Sequence, residues 1–554
     1  MHIRGKRSTR YAGAFALAMT CNLAFAAEPP SAGSILQGIE PPAQLPAKPA
    51  TVLPEESVRP AKRPGPSVRI DVKGFRITGA RAFPEAELQK LLADSVGKAL
   101  SLAQLQDLAR RITRYYREHG YLLARAYLPA QEIRGGIVEI AVLEGRLGKL
   151  KVENNSLVSD AAVGRTLEGV QVGGAVEAGS LERQLLLLND LPGVEVRSTL
   201  KPGASVGTTD LDIQLRGTRR VTGFAELDNF GNRFTGDLRL GAGLNVNSPA
   251  GIGDSLSLRG IAAADLDYAR LAYQMPVGAR GLVFGAAASH LSYKLGKDFA
   301  PLRAHGTADI ATLYALYPLL RSRARNVNLQ LAYDRKHLDD RQDAVGVASD
   351  KVIRVWTLGA SGDRIDGFAG GGLWNWSVAY SGGNLDLDPA SQALDTAGLR
   401  TEGGYGKVTA QLARIQRLAQ HLSLYVSMSG QAAGKNLDAS EKRVLGGPFG
   451  VRAYPQGEAP CDDALLGELE LRYALAEGWQ LTAFVDGSDG RISHAPLPGT
   501  RNNRRSLSGA GFGLNWSRTA DFYLQSFLAW RTGPVPTSDV DRSPRLWVQL
   551  VRYM

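Results

Sequence analysis

Cysteine is nearly missing from this chain: Cys21 and Cys461 are the only two in 554 residues. Cys21 lies in a stretch read below as a cleaved leader, so no internal disulfide can form, and Cys–Cys or Cys–His metal spacing is absent. No metal or organic cofactor is expected. Histidine is also scarce. His2 falls in the same leader, and His119, His290, His305, His337, His421 and His494 are scattered, none within a nucleophile motif. Without a Ser/His/Asp set or paired catalytic carboxylates, no catalytic residue is assigned and the chain reads as a non-enzyme. The acidic pairs Asp339-Asp340 and Asp462-Asp463 read as solvated turns. Blocks of one charge are lacking although the formal net charge is +11, and no zinc-finger, RRM or basic-zipper pattern occurs, so nucleic acid is not an expected partner. Past Ala27 no run approaches the ~18 apolar residues that a membrane-crossing helix needs.

What is present is ordered along the chain. Arg4, Lys6, Arg7 and Arg10 precede the apolar Ala12–Ala18, and Ala24-Phe25-Ala26 offers small residues for cleavage: residues 1–26 are expected to be a secretory signal peptide. Residues 27–67 are rich in proline and read as a linker, broken by Ser31–Glu40, which can form a short helix before Pro41 stops it. Residues 68–145 predict strand, helix, helix, strand, strand, with a capping box at Ser101-Leu102-Ala103-Gln104 and strands at Val68–Ile77, Tyr121–Leu128 and Ile137–Leu143. Residues 146–219 repeat that order: Leu147–Val152 as strand, Asp160–Leu167 and Ser180–Leu191 as helices, Val194–Leu200 and Leu211–Leu215 as strands.

From residue 220 to 554 the period becomes two. Leu238, Leu240, Ala242 and Leu244 alternate with Asp237, Arg239, Gly241 and Gly243; Trp374, Trp376, Val378 and Tyr380 alternate with Asn375, Ser377 and Ala379; Leu469, Leu471 and Tyr473 alternate with Glu468, Glu470 and Arg472. One apolar and one polar face is what a half-buried sheet requires. A soluble sandwich would alternate too, but so long a region behind a leader favours a membrane β-barrel, whose closure removes edges that hydrocarbon cannot solvate. At about 21 residues per strand and connection, roughly sixteen strands are expected.

Several motifs now become specific. Tyr127-Leu128-Pro129-Ala130-Gln131 and Leu143-Glu144-Gly145-Arg146 occur near the end of the first βααββ unit. Asp228-Asn229-Phe230-Gly231, Thr235-Gly236 and Gly251-Ile252-Gly253-Asp254 open the barrel, and Tyr317-Pro318-Leu319 with Arg321-Ser322 lies in its middle. Gly446-Gly447-Pro448-Phe449-Gly450-Val451-Arg452-Ala453-Tyr454 is followed by Phe484-Val485-Asp486 and Ser488. In this order the chain resembles the two-partner secretion transporters (TpsB), the pores for filamentous haemagglutinin and Serratia-type haemolysin, in the superfamily of the barrel-assembly insertase. The βααββ units are similar to that superfamily's POTRA domains.

The resemblance implies an α+β periplasmic POTRA pair followed by a transmembrane antiparallel barrel in the outer membrane of a Gram-negative bacterium. It implies a Val-Arg-Gly-Tyr loop inside the barrel, here Val451, Arg452, Ala453 and Tyr454, with Ala453 in place of Gly. Its Arg pairs with the Asp of a Phe-x-Asp-x-Gly strand, here Phe484, Asp486 and Ser488, Ser488 standing where the last Gly belongs. An Arg fork on a carboxylate can fix a loop at one depth in a lumen. Ile35, Leu36, Gln37 and Ile39 resemble the helix that plugs the resting pore. The implied partners are a large exoprotein with an N-terminal secretion domain (TpsA-type), outer-membrane lipid, and the barrel-assembly machinery during biogenesis. That machinery usually reads a terminal aromatic residue, whereas this chain ends Tyr553-Met554. The exoprotein is expected to arrive unfolded, add a strand to a POTRA edge, Val194–Leu200 or Leu211–Leu215 being candidates, and leave without ATP, no P-loop being present. The rival reading is an insertase for other barrels, which usually carries more POTRA units.

Overall fold

The computed structural model describes residues 29–39, 69–121, 123–174, 177–205, 207–518 and 521–554. The expected signal peptide and most of the proline-rich linker lie outside these residues.

The first βααββ unit holds strands β1 (Arg69–Asp71) and β2 (Gly74–Thr78), helix α2 (Glu85–Lys90), strand β3 (Ala99–Ser101), helix α3 (Leu102–Glu118), and strands β4 (Arg125–Tyr127) and β5 (Ile137–Leu143). The Ser101 hydroxyl accepts from the Gln104 N–H and the Gln104 side chain accepts from the Ser101 N–H, so the expected capping box starts α3. Leu105, Leu108, Ala109, Ile112 and Tyr116 form its buried stripe, packed on Phe75, Ile77, Val138 and Ile140 of a sheet ordered β2-β5-β4. Two expectations are corrected. The strand over Val68–Ile77 is two strands, because the chain turns at Val72-Lys73 to let β1 pair with β3. The strand over Tyr121–Leu128 shrinks to β4, since Tyr121 caps the end of α3 through its N–H to the Tyr116 carbonyl.

The second unit holds β6 (Arg146–Asn155), helices α4 (Asp160–Thr166) and α5 (Ala178–Asn189), and strands β7 (Val194–Pro202) and β8 (Thr208–Gly217). Leu181, Leu185 and Leu188 of α5 cover Leu211, Ile213 and Leu215. The sheet order is β6-β8-β7, so Leu211–Leu215 is central and not a free edge, whereas Val194–Pro202 is one.

The remainder is a closed antiparallel barrel of sixteen strands, from Val221–Asp228 to Arg545–Tyr553. No helix among the described residues is long and apolar enough to cross a membrane; strands make the crossing. Outward positions are apolar and exposed, among them Leu358, Tyr380, Leu469 and Leu471, while Trp374 lies beneath the Arg414 guanidinium, 4.7 Å from its ring centre. Joint lengths differ. Arg325–Gln342 and Val347–Asp366 pair over 18 positions, but first and last strands pair over only five, Phe224↔Tyr553 to Asp228↔Gln549. Asn229 lengthens that seam: its side chain donates to the Leu546 carbonyl (2.9 Å) and accepts from the Val548 N–H (2.7 Å).

One mouth carries the βααββ units. Arg183 of α5 donates to the Pro318 carbonyl (2.6 Å), Arg321 grips Asp190 with two hydrogen bonds (2.8 and 2.7 Å), and the Ser159 N–H donates to the Gly251 carbonyl (2.8 Å). The Tyr317–Ser322 and Gly251–Asp254 motifs are thus the docking edge for the second unit.

Candidate functional site

The lumen is occupied by two elements the strands do not supply. The first is the chain between strands Leu422–Ala433 and Asp463–Ala476, which folds back into the barrel instead of reaching outward. A two-residue ribbon, Arg443–Val444 against Pro460–Cys461, forms its neck. Gly447, at φ +123, allows the tight return in which the Val451 N–H meets the Leu445 carbonyl at 2.8 Å. Val451, Arg452, Ala453 and Tyr454 are all buried.

Arg452 is the centre of this loop. Its Nε and Nη2 donate to the two oxygens of Asp486 (2.9 and 2.6 Å), and its own N–H adds a third bond to that carboxylate (3.1 Å). Nη1 donates to Glu470 (2.6 Å), and the guanidinium carbon stands 3.6 Å from the Phe484 ring centre. Burial works against the charge, but Asp486 and Glu470 outweigh it and hold the group above its ordinary value. Glu470, which also accepts from Arg472 (2.7 Å), was visible in sequence only as a polar lumen position. The Arg452 carbonyl accepts from the Trp547 indole (2.7 Å), linking the loop to the last strand. Ala453, where the resemblance implies Gly, fits because Gly509 faces it: a methyl on Gly509 would stand 2.5 Å from that of Ala453. Ser488 is buried and its hydroxyl has no hydrogen-bond partner among the described residues. Glu458, fully buried, clips the loop to the outer turns through Arg505 (2.7 Å), Thr537 and the Ser538 N–H (2.8 Å). Burial opposes its charge, but Arg505 and the Ser538 hydroxyl hold the carboxyl below its usual value. No sequence signal marked Glu458.

The second element is helix α1, Ala32–Leu36, shorter than expected: Gln37 is its C-cap and Ile39 lies in the turn beyond. Five residues cannot hold a helix in water unaided. Here Ser31 and Ser34 form a reciprocal cap, and Ala32 and Ile35 are buried against Leu266, Leu291 and Leu338 of the wall. Polar contacts supply the rest. The Ala32 N–H donates to Asp340 (2.8 Å), which also takes the Tyr293 hydroxyl (2.6 Å). Gln37 donates to the Ala439 carbonyl (2.8 Å), and Arg239, paired with Asp228, donates to the Gly38 carbonyl (2.8 Å). Gly33 abuts Ser440 so closely that a Cβ there would stand 2.7 Å from the serine Cβ.

Loop and helix share a charged floor. Glu441 accepts from Lys336 (2.5 Å) and Lys407 (2.9 Å), and Asp438 from Lys351 (2.8 Å). Burial would raise both carboxyls, but these lysines outweigh it and hold them below their ordinary values. The solvated-turn expectation fails for both acidic pairs. Asp340 lies on the strand Arg325–Gln342 and faces α1, and Asp462 is fully buried, ion-paired to Lys442 at 3.1 Å.

The comparisons with known proteins agree on class. A model of the POTRA domain, ShlB-type, matches residues 70–145, and a model of the haemolysin secretion/activation protein ShlB/FhaC/HecB matches residues 207–516. The chain is 30% identical over 453 residues to the heme/hemopexin transporter protein HuxB of Haemophilus influenzae, covering 80% of each chain. Its fold is similar to CdiB from Escherichia coli (TM-score 0.71, 20% identity, 92% of this chain and 94% of that one). It is similar also to BamA from Haemophilus ducreyi lacking POTRA domains 1–3 (TM-score 0.51, 15% identity, 87% of this chain and 100% of that one). With a barrel, a lumen loop and periplasmic units in this order, the chain belongs to the ShlB/FhaC/HecB haemolysin secretion/activation family, the outer-membrane transporters of two-partner secretion.

Proposed function

We propose that this transporter exports one large exoprotein, received unfolded in the periplasm through its N-terminal secretion domain and passed through the barrel without ATP. The observation that carries the reading is how the pore is closed. A five-residue helix held largely by single hydrogen bonds fills the lumen beside a loop, and the wall itself is continuous. Such a helix can leave without breaking a strand joint, so opening needs no large energy source. At the mouth opposite the outer turns, β6 and β7 are sheet edges with unpaired backbone groups, to which an extended segment can add. A folded cargo could not enter a lumen sixteen strands around that keeps its loop; an extended one could, and folding outside gives direction. In this scheme the loop motif Val451, Arg452, Ala453 and Tyr454 with Phe484, Asp486 and Ser488 sets the bore, Ile35, Leu36, Gln37 and Ile39 belong to the plug, and no residue acts catalytically. Lipid of the outer membrane surrounds the wall, and the barrel-assembly machinery inserts it.

The test is reconstitution in liposomes with a candidate exoprotein that carries an N-terminal secretion domain. The urea-unfolded exoprotein should reach the far compartment, become protease-protected, and do so without nucleotide. Equal transport of a disulfide-locked, folded secretion domain, or a requirement for ATP, would overturn the reading.

A further inference from the structure

The outer wall has a defect in its aromatic belt. Running from the docking edge outward, the lipid-facing side of strand Arg325–Gln342 reads Val327, Leu329, Leu331, Tyr333, then Arg335, His337 and Asp339. Apolar side chains thus end at Tyr333, and charge begins two residues on, which sets the outer boundary of the hydrocarbon layer. Tyr333 opposes Trp356, their rings 4.8 Å apart, and this pair marks the belt. Continuing around the barrel at the same height, Trp356 opposes Gly382, Gly382 opposes Gly406, and Gly434 donates its N–H to the Gly406 carbonyl (2.8 Å). Two neighbouring strands carry glycine where a belt side chain belongs, and Gly434, one residue past the end of the next strand, extends the row.

The result is a groove of about 580 Å³ in the wall, walled by Trp356 and Tyr380, both more than half exposed. The Tyr380 ring lies across the faces of Gly382 and Gly406, its hydroxyl 3.0 Å from where a Gly406 Cβ would stand, and the rest of the floor is glycine backbone. Glycine inside a strand leaves space for something to approach the sheet closely, here against the Tyr380 ring and the open backbone beside it. Below it the lipid face continues apolar through Leu358, Val378 and Val408.

Charge sits higher and to one side, above the Tyr333–Trp356 pair on the two strands that precede the glycines, with Arg354 at the groove's edge. Arg335 and Arg354 oppose one another across adjacent strands and are both exposed. Like charges in register repel. Arg354 shares Asp386 through one Nη, whereas Arg335 has no hydrogen bond or ion pair among the described residues. Carboxylates higher on this face have their own partners, Asp350 with His337 (3.1 Å) and Asp309 with His290 (2.7 Å). Two guanidinium forks at the level of lipid phosphates, beside an alkyl-wide groove, form a composite site for an anionic headgroup with its chains.

We propose that this face binds a phosphorylated, multiply acylated glycolipid of the lipid A class, its phosphate between Arg335 and Arg354 and acyl chains against Trp356 and Tyr380 along the Gly382–Gly406–Gly434 row. The outer-leaflet height selects this lipid over a phospholipid, and the lateral spread from Arg335 to Gly434 suits several chains on one broad headgroup.

The experiment is native mass spectrometry of the full transporter in detergent, titrated separately with lipid A and with phosphatidylglycerol. Wild type should prefer lipid A by about tenfold or more, and Arg335→Gln with Arg354→Gln should lose about tenfold in lipid A affinity. Gly404→Leu tests the groove without touching charge: its φ is not positive, and a Cβ there meets nothing nearer than the Gly383 carbonyl at 4.0 Å. That variant should also bind lipid A more weakly, with heat-modifiable migration showing an intact barrel. Equal affinity for both lipids, or unchanged lipid A binding in both variants, would overturn the proposal. So would a homodimer that a cysteine at position 404 cross-links in the absence of lipid, because the groove would then be an interface between copies.

Discussion

Replacing Arg452 by alanine should leave a barrel in the membrane that no longer exports. The side chain makes three charge-assisted bonds, two to Asp486 and one to Glu470, in a setting where Arg452 is 3% and Asp486 0% exposed. Removing it leaves Glu470 its bond from Arg472, but leaves Asp486 only the backbone N–H of residue 452. Stranding one member of a buried pair costs about 3–5 kcal/mol, roughly two to three and a half decades in the docked population of the loop. The wall, closed by sixteen strand joints, loses none of its backbone bonds. Arg452→Lys should be impaired as well, because an ammonium cannot serve Asp486 with two parallel bonds while reaching Glu470. The assay is exoprotein in culture supernatant, normalised to heat-modifiable barrel in outer-membrane fractions. Full secretion by Arg452→Ala at normal barrel levels would refute the reasoning, and so would loss of the barrel itself.

Gly33→Val should raise resting conductance in planar bilayers with the barrel intact, since the new side chain would overlap Ser440 and expel α1; unchanged conductance would show that α1 does not limit the pore. Conductance should also depend on pH. The Glu441 and Asp438 carboxyls, facing Lys336, Lys407 and Lys351, sit below their ordinary values, so their contribution to the closed state is full above the ordinary carboxylate range and is lost as pH falls through the depressed values. Single channels should therefore stay closed from pH 7 to about 5 and open more often below about 4, whereas Glu441→Gln should open them at neutral pH. A spin label at position 469 should report lipid, because Leu469 is 48% exposed on the outward face; water accessibility there would count against the barrel register. Arg321→Ala with Arg183→Ala should broaden distances measured by electron spin resonance between the second βααββ unit and the barrel, and unaltered distances would show that other contacts hold that joint.

Much of this was readable beforehand, for a physical reason: alternation of period two and helical stripes are local signals. The α3 stripe and the lipid face of Asp463–Ala476 follow directly from spacing. The Arg452–Asp486 pair was legible only through motif order, since no local rule links residues 34 positions apart. What stayed hidden was long-range and polar. Asp340 looked like half of a solvated turn because sequence cannot show that an inward strand position faces a helix 308 residues upstream. Glu458 carried no signal and Glu470 only its inward polarity, because a buried carboxylate is identified by its partners and these come from other strands and turns. Leu211–Leu215 looked like an edge because order in the chain does not give order in a sheet.

The short seam has a consequence for how the barrel forms. Fifteen of its sixteen joints tie barrel strands that follow one another along the chain, one of them across the inward loop; the sixteenth ties Phe224–Asp228 to Gln549–Tyr553. Sequential hairpins are low in contact order and can form early, whereas a joint across more than three hundred residues must wait for its loop to close. Until then the sheet carries two raw edges, which hydrocarbon does not tolerate. Closure is therefore the commitment step of assembly, and five residue pairs, the reciprocal Gly223–Met554 backbone bonds at one end and the Asn229 backbone and side chain at the other carry it. Asn229→Ala should slow the appearance of the heat-modifiable form in a pulse-chase experiment far more than the same change at an inward position of the eighteen-pair joint, although each removes a single side chain.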